Sequence, residues 1–316
     1  MRLPTLSRLA CPACVRNGRI IAFDLDPMRL DERQAAGANA ELTEGYLVCR
    51  SCRAAYPVLA GTAILPVDVK AHLATHGNVY RRLSIPDPRL ARFLLGNAGD
   101  GTDFVPFDEV VGRYADLLPF DPARPARPMS SRDVRLDDAL RAGGAVGPAL
   151  EIGCGVGRGT FLLAARTGDA IGVDRSVARV RRARNVQTTD EFLLPVDETR
   201  RSETAIDLAR LDRRDVDFLV ADPDVLPFPD RSFATVIVRD GDGAGPFADA
   251  EVVRLEALRV AAPGALVLVE GKGAREGEAR DFERVVVRGA VGVIGGIGSR
   301  GDASPGDRTA GGAHVR

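Results

Sequence analysis

The stretch ALEIGCGVGRGTF, residues 149–161, carries four glycines at alternate positions directly after a short apolar run. The segment PALEI, residues 148–152, predicts a buried strand, and TFLLAARTG, residues 160–168, predicts a helix that ends at Gly168. The loop between them has almost no side-chain bulk. A strand, a bare loop and a helix in this order let a ligand lie directly against the main chain, so we expect a nucleotide-like ligand over the loop.

The spacing of the glycines distinguishes two kinds of nucleotide-binding loop. The dinucleotide fingerprint G-x-G-x-x-G needs a glycine at its sixth position, but that position is Arg158 when counted from Gly153. Counted from Gly155 it is Thr160, so the fingerprint fails in both registers. The pattern that fits is acid-x-G-x-G-x-G, formed by Glu151, Gly153, Gly155 and Gly157. It closely resembles the first motif of class I S-adenosylmethionine-dependent methyltransferases, in which the loop amides and the adjacent acid receive the methionine end of the cofactor.

The segment AIGVD, residues 170–174, predicts a second strand that ends in an acid. A carboxylate at the tip of this strand can accept hydrogen bonds from both hydroxyls of a ribose. The alternative is that Asp174 only caps the following helix, and the residues by themselves leave it open.

The line DFLVADPDVLPFPDRSFATVIVRD, residues 217–240, is the most informative of the sequence. It resembles the D-x-x-x-LPFPD-x-SF signature of the methyltransferase type 11 branch, which includes ubiquinone and menaquinone C-methyltransferases. The segment EVVRLEALRVAAPGALVLVEGK, residues 251–272, resembles the helix and fifth strand of that family. Ala234 replaces the usual acid after SF, and Ala265 replaces the second glycine of the later turn. Residues 187–214 are an insert relative to the common form, which we expect to be charged and solvated; the alternative is that the insert shapes the entrance for the substrate.

The resemblance implies an α/β fold with a Rossmann-like seven-stranded methyltransferase sheet in the order 3-2-1-4-5-7-6. Residues 282–298 would supply its last two strands. It also implies S-adenosyl-L-methionine as the cofactor, with Asp222 contacting the adenine. The residues expected to bind the cofactor are Glu151, Gly153, Cys154, Gly155, Gly157, Asp174, Arg175, Asp222 and Pro223.

The chemistry expected at such a site is methyl transfer to a nucleophile held in line behind the methyl carbon, and much of the rate can come from placement alone. A general base is needed only where the nucleophile must lose a proton. The weak candidates are acids that follow predicted strands, namely Asp240, Asp242 and Glu270, although solvated loop acids are the common alternative. We interpret Cys154 as a small filler of the loop rather than a nucleophile. The catalytic residues therefore stay unknown.

Four of the five cysteines form two Cys-x-x-Cys pairs, CPAC and CRSC. Two such turns supply the four thiolates of a tetrahedral structural zinc site, and the competing interpretation is two unrelated redox or free pairs. The predicted zinc ligands are Cys11, Cys14, Cys49 and Cys52. Strand-like flanks and the YPVxxGxAxLP run resemble the small zinc-ribbon subunits that activate tRNA and translation-factor methyltransferases. Residues 27–44, between the two pairs, are polar and predict a loop.

These patterns divide the chain into four expected parts. His72 and His76 lie four residues apart, but we interpret them as helix-surface residues because no third ligand is near in sequence. SSRDVRLDDALRAGG predicts a short helix with a serine cap and a glycine stop. The expected parts are a zinc ribbon (1–67), a helical connector with a proline-rich linker (68–129), a methyltransferase domain (130–298) and a disordered tail (299–316).

Composition limits the class of partner. The 43 Lys+Arg against 44 Asp+Glu give a formal net charge of -1, so there is no global positive field of the kind that holds nucleic-acid binders on phosphate. No signal-peptide core and no long apolar stretch is present, which predicts a cytoplasmic protein without a membrane partner.

Three functions remain open from the sequence. The first is methyl transfer to a small molecule, favoured by the LPFPD-type core. The second is RNA methylation with the ribbon as the recognition module, since a zinc module before such a domain also resembles rRNA guanine methyltransferases. The third is a catalytically inactive binding or scaffold protein of the same fold. A protein partner of the ribbon is compatible with each of them.

Overall fold

The computed structural model describes residues 1–30, 40–119, 128–195, 203–239, 249–270, 282–288 and 291–296. Within these ranges the strands are β1 (Phe23–Leu30), β2 (Leu42–Cys49), β3 (Ala55–Leu59), β4 (Thr62–Leu65), β5 (Ala149–Ile152), β6 (Ala170–Asp174), β7 (Leu193–Pro195), β8 (Glu203–Ala205), β9 (Val216–Ala221), β10 (Phe233–Val238), β11 (Ala261–Glu270), β12 (Phe282–Arg288) and β13 (Val291–Gly296). The α-helices are α1 (Leu3–Leu6), α2 (Pro12–Val15), α3 (Val69–Thr75), α4 (Gly77–Arg81), α5 (Pro88–Asn97), α6 (Phe107–Tyr114), α7 (Ser131–Gly143), α8 (Arg158–Thr167), α9 (Val177–Thr188) and α10 (Ala250–Val260).

The centre of the sheet consists of five parallel strands in the order β9-β6-β5-β10-β11. Every residue of β5 and of β9 is buried, as expected for parallel strands covered by helices on both faces. Helices α8, α9 and α10 pack against these strands. The α/β class and the predicted order 3-2-1-4-5 are therefore confirmed.

The end of the predicted order is wrong. The expected arrangement 5-7-6 needs the sixth strand to lie parallel to the fifth, but β12 pairs with β11 antiparallel and β13 pairs with β12 antiparallel. The order along the sheet is thus 3-2-1-4-5-6-7. The physical reason is connection length, because a parallel return needs a crossover of a dozen or more residues, and only residues 271–281 lie between β11 and β12.

Local signals place the helices that flank the glycine loop. Ser130 caps α7, with its Oγ accepting a hydrogen bond from the Asp133 amide at 3.2 Å, and α7 is followed by Gly144 at φ 66°. Helix α8 is followed by Gly168 at φ 76°. Both ends agree with the sequence prediction, because an αL residue after a helix favours glycine.

Two predictions about irregular segments need correction. The expected loop over residues 27–44 is strand at both ends, where β1 and β2 pair, while residues 31–39 lie outside the described residues. The 187–214 insert is not simply solvated, since α9 continues to Thr188 and the following apolar side chains are buried. Those buried side chains are Phe192, Leu194, Ile206, Leu208 and Leu211. They pack into the main apolar core, so the insert contributes to it.

The ribbon strands extend the central sheet. Strands β1 to β4 form an antiparallel meander, and β4 then pairs with β9 in parallel, so that Ile64 lies opposite Val220 and Leu65 opposite Ala221. The backbone of Ala10 also donates to the Pro227 carbonyl oxygen at 2.8 Å. The result is one eleven-stranded sheet.

Helices α3 to α6 follow β4 and cross the carboxyl edge of the parallel strands. Their path starts where the Val67 amide donates to the carboxylate of Asp222, after β9, at 2.9 Å. None of the helices in the described ranges has the length and apolar character needed to cross a bilayer.

Candidate functional site

The glycine-rich loop between β5 and α8 has a backbone shape that other residues oppose. Gly153, Gly155 and Gly157 have φ values of 78°, 54° and 91°, in the left-handed region. A Cβ on Gly157 would lie 2.6 Å from the Cβ of Ala183 and 2.8 Å from the ring of Phe218. Conformation and close packing therefore both require glycine here.

The loop's amides are largely occupied within the protein. Gly153 and Cys154 both donate to the carbonyl oxygen of Val173, at 2.8 and 3.0 Å, and Gly157 donates to the carbonyl oxygen of Cys154 at 2.9 Å. These contacts do not favour the expectation that these amides receive the methionine end of a cofactor. Each backbone carbonyl oxygen has two acceptor sites, so the carbonyl oxygens of the loop keep acceptor capacity for an ammonium group.

Asp174 is joined to the loop across the tip of β6. Its Oδ2 accepts from the Gly155 amide at 2.9 Å and its Oδ1 accepts from the Ser176 amide at 2.8 Å. Burial raises the pKa of Asp174, and these two backbone donors act in the opposite direction. Each carboxylate oxygen keeps a second acceptor site, so the side chain can bind the loop and a ligand at the same time.

Glu151 is completely buried and belongs to an ion-pair network beneath the loop. Thr160 Oγ1 donates to one of its oxygens, and Arg239 Nη1 lies 3.3 Å from the other. Arg239 also lies 3.4 Å from the carboxylate of Asp133, which Arg113 contacts at 2.7 Å. Burial raises the pKa of Glu151, and Arg239 opposes this shift. The carboxylate is thus committed to the protein rather than exposed to a cleft.

Arg239 is a residue that the sequence analysis did not identify. It follows β10, is 2 % exposed, and its Nε and Nη2 have no hydrogen-bond partner among the described residues. Glu270, at the end of β11, lies 3.7 Å from Arg239 Nε and forms a two-point contact with Arg132. Glu270 is therefore a buried ion-pair partner, not a solvated acid. Asp240 and Asp242 lie outside the described residues.

Asp222, Pro223 and Arg175 lie together beside Asp174, where β6 and β9 end. Asp222 accepts from the Val67 amide, and its Oδ1 is 3.5 Å from Arg175 Nε. Pro223 is buried, while Arg175 is half exposed. The predicted ribose and adenine residues are thus neighbours at one edge of the sheet.

Helix α6 covers the glycine loop, a feature without any sequence signal. A Cβ placed on Gly155 would meet one neighbour, the carboxylate of Glu109 at 3.5 Å. Glu109 is held by Arg179 Nε at 2.8 Å, and burial raises the pKa of Glu109 while Arg179 lowers it. Tyr114 donates its hydroxyl to the Val156 carbonyl oxygen at 2.5 Å. These partners are far apart in sequence, so spacing could not reveal them.

A cavity of about 310 Å³ lies between α6 and the start of α7, beside this ion-pair network. It is lined by Pro106, Asp108, Glu109, Gly112, Arg113, Ser130 and Arg132. The volume falls at the lower end of the range for small-molecule sites.

Cys154, inside the loop, is 3 % exposed, and burial raises the pKa of its thiol well above the usual range. A protonated, enclosed thiol is a poor nucleophile. This environment supports its interpretation as filler.

The four paired cysteines converge on one point. Their sulfur atoms all lie within 4.8 Å of one another, with Cys11 3.6 Å from Cys52 and Cys14 3.7 Å from Cys49. A tetrahedron with Zn–S bonds of about 2.3 Å has sulfur–sulfur edges of about 3.8 Å, so the cluster fits a zinc ion. Burial alone would raise the pKa of Cys49, but amides that include those of Cys52 and Ser51 bring the pKa to about 7.

Comparison with known proteins gives one family match. The family model described as a methyltransferase domain matches residues 150–269, which contain the glycine loop, Asp174 and Asp222. The search of curated proteins finds no match.

Three solved structures illustrate the similarity. The PH0226 protein of Pyrococcus horikoshii is 25% identical, with 55% of this chain and 64% of that chain covered and a TM-score of 0.37. The YcgJ protein of Bacillus subtilis is 20% identical, with 45% and 52% covered and a TM-score of 0.33. A complex that contains the Haloferax volcanii Trm112 methyltransferase activator is 24% identical, with 44% and 53% covered and a TM-score of 0.30. The chain spans about half to two thirds of the length of these structures.

Proposed function

We propose that this chain, which carries a methyltransferase domain over residues 150–269, transfers a methyl group from S-adenosyl-L-methionine to a small-molecule acceptor. The observation that carries the proposal is the hydrogen bond between the Gly155 amide of the glycine loop and the Asp174 carboxylate. The loop brings bare main chain to the carboxyl edge of the sheet, and Asp174 binds the Gly155 amide with acceptor capacity left over. This arrangement suits a ligand whose ribose binds Asp174 while the rest of the ligand lies against the glycine loop.

Each part of the cofactor has matching residues. Asp174 would accept from the ribose hydroxyls, and Asp222 with Pro223 and Arg175 would contact the adenine. The carbonyl oxygens of Gly153, Cys154, Gly155 and Gly157 would face the ammonium of the methionine end. Glu151 would act from beneath the loop as a structural support, held by Thr160 and Arg239. When bound, the cofactor supplies an electrophilic methyl carbon on a sulfonium.

The task of the chain's own residues is then placement and exclusion of water. Helix α6 covers the loop through Glu109 and Tyr114, and Arg239 holds Glu151 below it. Arg132 fixes Glu270 at the end of β11, beside the cavity. Of the three predicted base candidates, Glu270 is the one that lies within the described residues. To accept a proton from an acceptor, Glu270 would first have to lose its contact with Arg132.

The position of α6 over the glycine loop favours a small molecule as the methyl acceptor. Because α6 lies over the glycine loop, an acceptor would have to fit beside this helix, and the cavity between α6 and α7 has about 310 Å³. The net charge of -1 also gives no general attraction for a polyanion.

The experiment is an incubation of the purified protein with methyl-labelled S-adenosylmethionine and cell extract separated into metabolite, RNA and protein fractions. We expect label in the metabolite fraction and little label with Asp174→Ala. Label found only in the RNA fraction would contradict a small-molecule acceptor. Cofactor binding without any transfer supports the inactive scaffold instead.

RNA is the second candidate acceptor, and one surface favours it. The segments that follow the two Cys-x-x-Cys pairs, or lie within them, carry four exposed arginines: Arg16, Arg19, Arg50 and Arg53. Among the described residues, only Arg50 of these four pairs with an acid. Such a cluster can contact phosphates. RNA retention that falls steeply with salt, and that weakens in an Arg16→Gln, Arg53→Gln variant, would select this function.

We also propose that Cys11, Cys14, Cys49 and Cys52 bind one structural zinc ion. All four positions would be filled by protein sulfur, so the metal would hold the ribbon rather than take part in catalysis. The ribbon would remain available to a protein partner.

A further inference from the structure

A second cavity lies along the face of α9 that carries Ala178, Arg181, Arg182 and Asn185. It has a volume of about 330 Å³ and is enclosed by α4, residues 103–105 and one stripe of α9. We call it the arginine pocket. Its lining includes Arg82, Phe104, Arg181, Arg182 and Asn185, together with Asp103. Neither Asp174 nor any glycine of the loop belongs to this lining.

The arginine pocket has an excess of positive charge. The side chains of Arg82 and Arg181 have no ion pair and no hydrogen bond within the described part of the chain. Asp103, the acid of the lining, is engaged elsewhere, because it accepts from Ser176 Oγ at 2.6 Å and lies 3.0 Å from His76 Nδ1. The guanidinium groups of Arg82 and Arg181 therefore have donors left for a ligand.

Arg181 is the informative member because it is partly buried. Burial lowers the pKa of Arg181, and the neighbouring Arg182 lowers it further. Arg182 lies over the ring of Phe192, 5.6 Å from its centroid, and does not neutralise Arg181. A guanidinium held partly out of water beside a like charge is stabilised when an anion binds.

Phe104 supplies a different kind of contact. It is 69 % exposed, the highest exposure among the large apolar side chains recorded as exposed, and it lines the same pocket as the arginines. An exposed aromatic ring beside guanidinium groups is suited to stacking with a planar base.

We propose that the arginine pocket binds a nucleotide-class ligand, with its phosphate on Arg82 and Arg181 and its base against Phe104. The geometry is that of a phosphate site and a stacking platform within one cavity of ligand size. The same chemistry is offered by a free mononucleotide and by the 5′-terminal nucleotide of an RNA. The site is separate from the proposed cofactor site and does not depend on methyl transfer.

The test is calorimetric titration of the full chain with AMP as the probe, in the presence of saturating S-adenosylhomocysteine, so that the cofactor site is filled. We expect AMP to bind, and adenosine and ribose 5-phosphate to bind at least about tenfold more weakly, because each lacks one of the two contacts. A 5′-phosphorylated RNA tetranucleotide that binds more tightly than AMP would identify RNA as the source, and one that binds more weakly would identify a free nucleotide.

Variants separate this pocket from other sites. Arg181→Gln and Phe104→Ala should each weaken AMP binding by about tenfold, with S-adenosylhomocysteine affinity unchanged. Arg92→Gln is the matched control, since Arg92 is an exposed arginine outside the pocket. AMP binding that S-adenosylhomocysteine abolishes, or that Arg181→Gln leaves intact, overturns the proposal. If the unmodified protein did not bind S-adenosylhomocysteine at all, that result would instead count against the proposed methyltransferase activity.

Discussion

Three carboxylates around the glycine loop have pKa values raised by burial, and each is compensated differently. Glu109 is held by Arg179, and Glu151 is held by Arg239 and Thr160. Asp174 accepts hydrogen bonds from two backbone amides, and within the described part of the chain no guanidinium lies at hydrogen-bond distance from it. Among the three, Asp174 is therefore the side chain that depends least on ion pairing and is best placed to contact a neutral ribose.

Replacing Asp174 by alanine should weaken cofactor binding without unfolding the chain. The variant loses the ribose acceptor and the bond to the Gly155 amide, an effect of about 1–3 kcal/mol, which corresponds to roughly fivefold to 150-fold in Kd. Calorimetry with S-adenosylmethionine measures it. Asp138→Asn, at an exposed acid of α7, should leave Kd unchanged. An unaltered affinity in Asp174→Ala would remove Asp174 from the site.

His72 gives a pH-dependent prediction, and here the structure corrects its interpretation as a surface residue. It is 7 % exposed, its Nε2 has no hydrogen-bond partner among the described residues, and burial, followed by the nearby His76, lowers the pKa of His72 to about 3. Below about pH 6.5, His72 binds a proton in the unfolded chain but stays neutral in the folded chain. The free energy of unfolding therefore falls as the pH is lowered.

Between pH 7 and pH 5 the unmodified protein should lose about 2 kcal/mol more stability than His72→Gln. Urea unfolding of both proteins at each pH measures the difference. Between pH 8 and pH 7 the two curves should run parallel, because His72 is then neutral in both states. Equal losses on acidification would mean that His72 is reached by protons in the folded chain.

At the scale of elements, the ribbon is a short meander whose two ends depend on one cysteine cluster. Strand β1 starts after the first Cys-x-x-Cys turn, and β2 ends at Cys49 in the second. A meander of this size buries little apolar surface of its own, so a metal crosslink between its turns should contribute a large part of its stability.

Removing one ligand with Cys11→Ser should abolish the bound zinc and lower the melting temperature. Metal analysis of the purified protein should give one zinc per chain before the change and none after it. Cys154→Ala is the matched control, because the fifth cysteine lies in the glycine loop and should leave zinc content unaltered. Unmodified protein that contains no zinc after preparation in zinc-supplemented medium would contradict the assignment.

At the scale of the whole molecule, the ribbon and the parallel strands share one sheet and one set of ion pairs. Arg2 contacts the carboxylates of Asp217, Asp215 and Asp169 at 3.0, 2.9 and 3.1 Å, and Thr5 also donates to Asp217. The side chain of Asp217 is 1 % exposed. These contacts join the N-terminal segment to β9, so both halves should unfold together.

Asp217→Asn should lower the free energy of unfolding by about 2 kcal/mol, because a buried carboxylate leaves Arg2 and Thr5 while two further acids still contact Arg2. Chemical unfolding followed by circular dichroism and by zinc release should give one coincident transition in both proteins. The control is Asp212→Asn, with little change expected, because Asp212 is partly exposed and its ion-pair partner Arg214 is exposed. Two separated transitions in the unmodified protein would contradict the shared sheet as the cooperative unit.

The five-strand order was implied by the resemblance to methyltransferases. The sequence by itself determined the local features of this protein: the β5–loop–α8 unit, the cysteine pairs and the helix ends at Gly144 and Gly168. These depend on spacing and backbone sterics, which are properties of neighbouring residues. Only the tertiary structure decided the cover of α6 over the loop, the partners of Arg239, the pairing of β12 with β11, and the pairing of β4 with β9. The reason is physical, since such contacts join residues far apart in the chain, and which acid meets which arginine depends on how the elements pack.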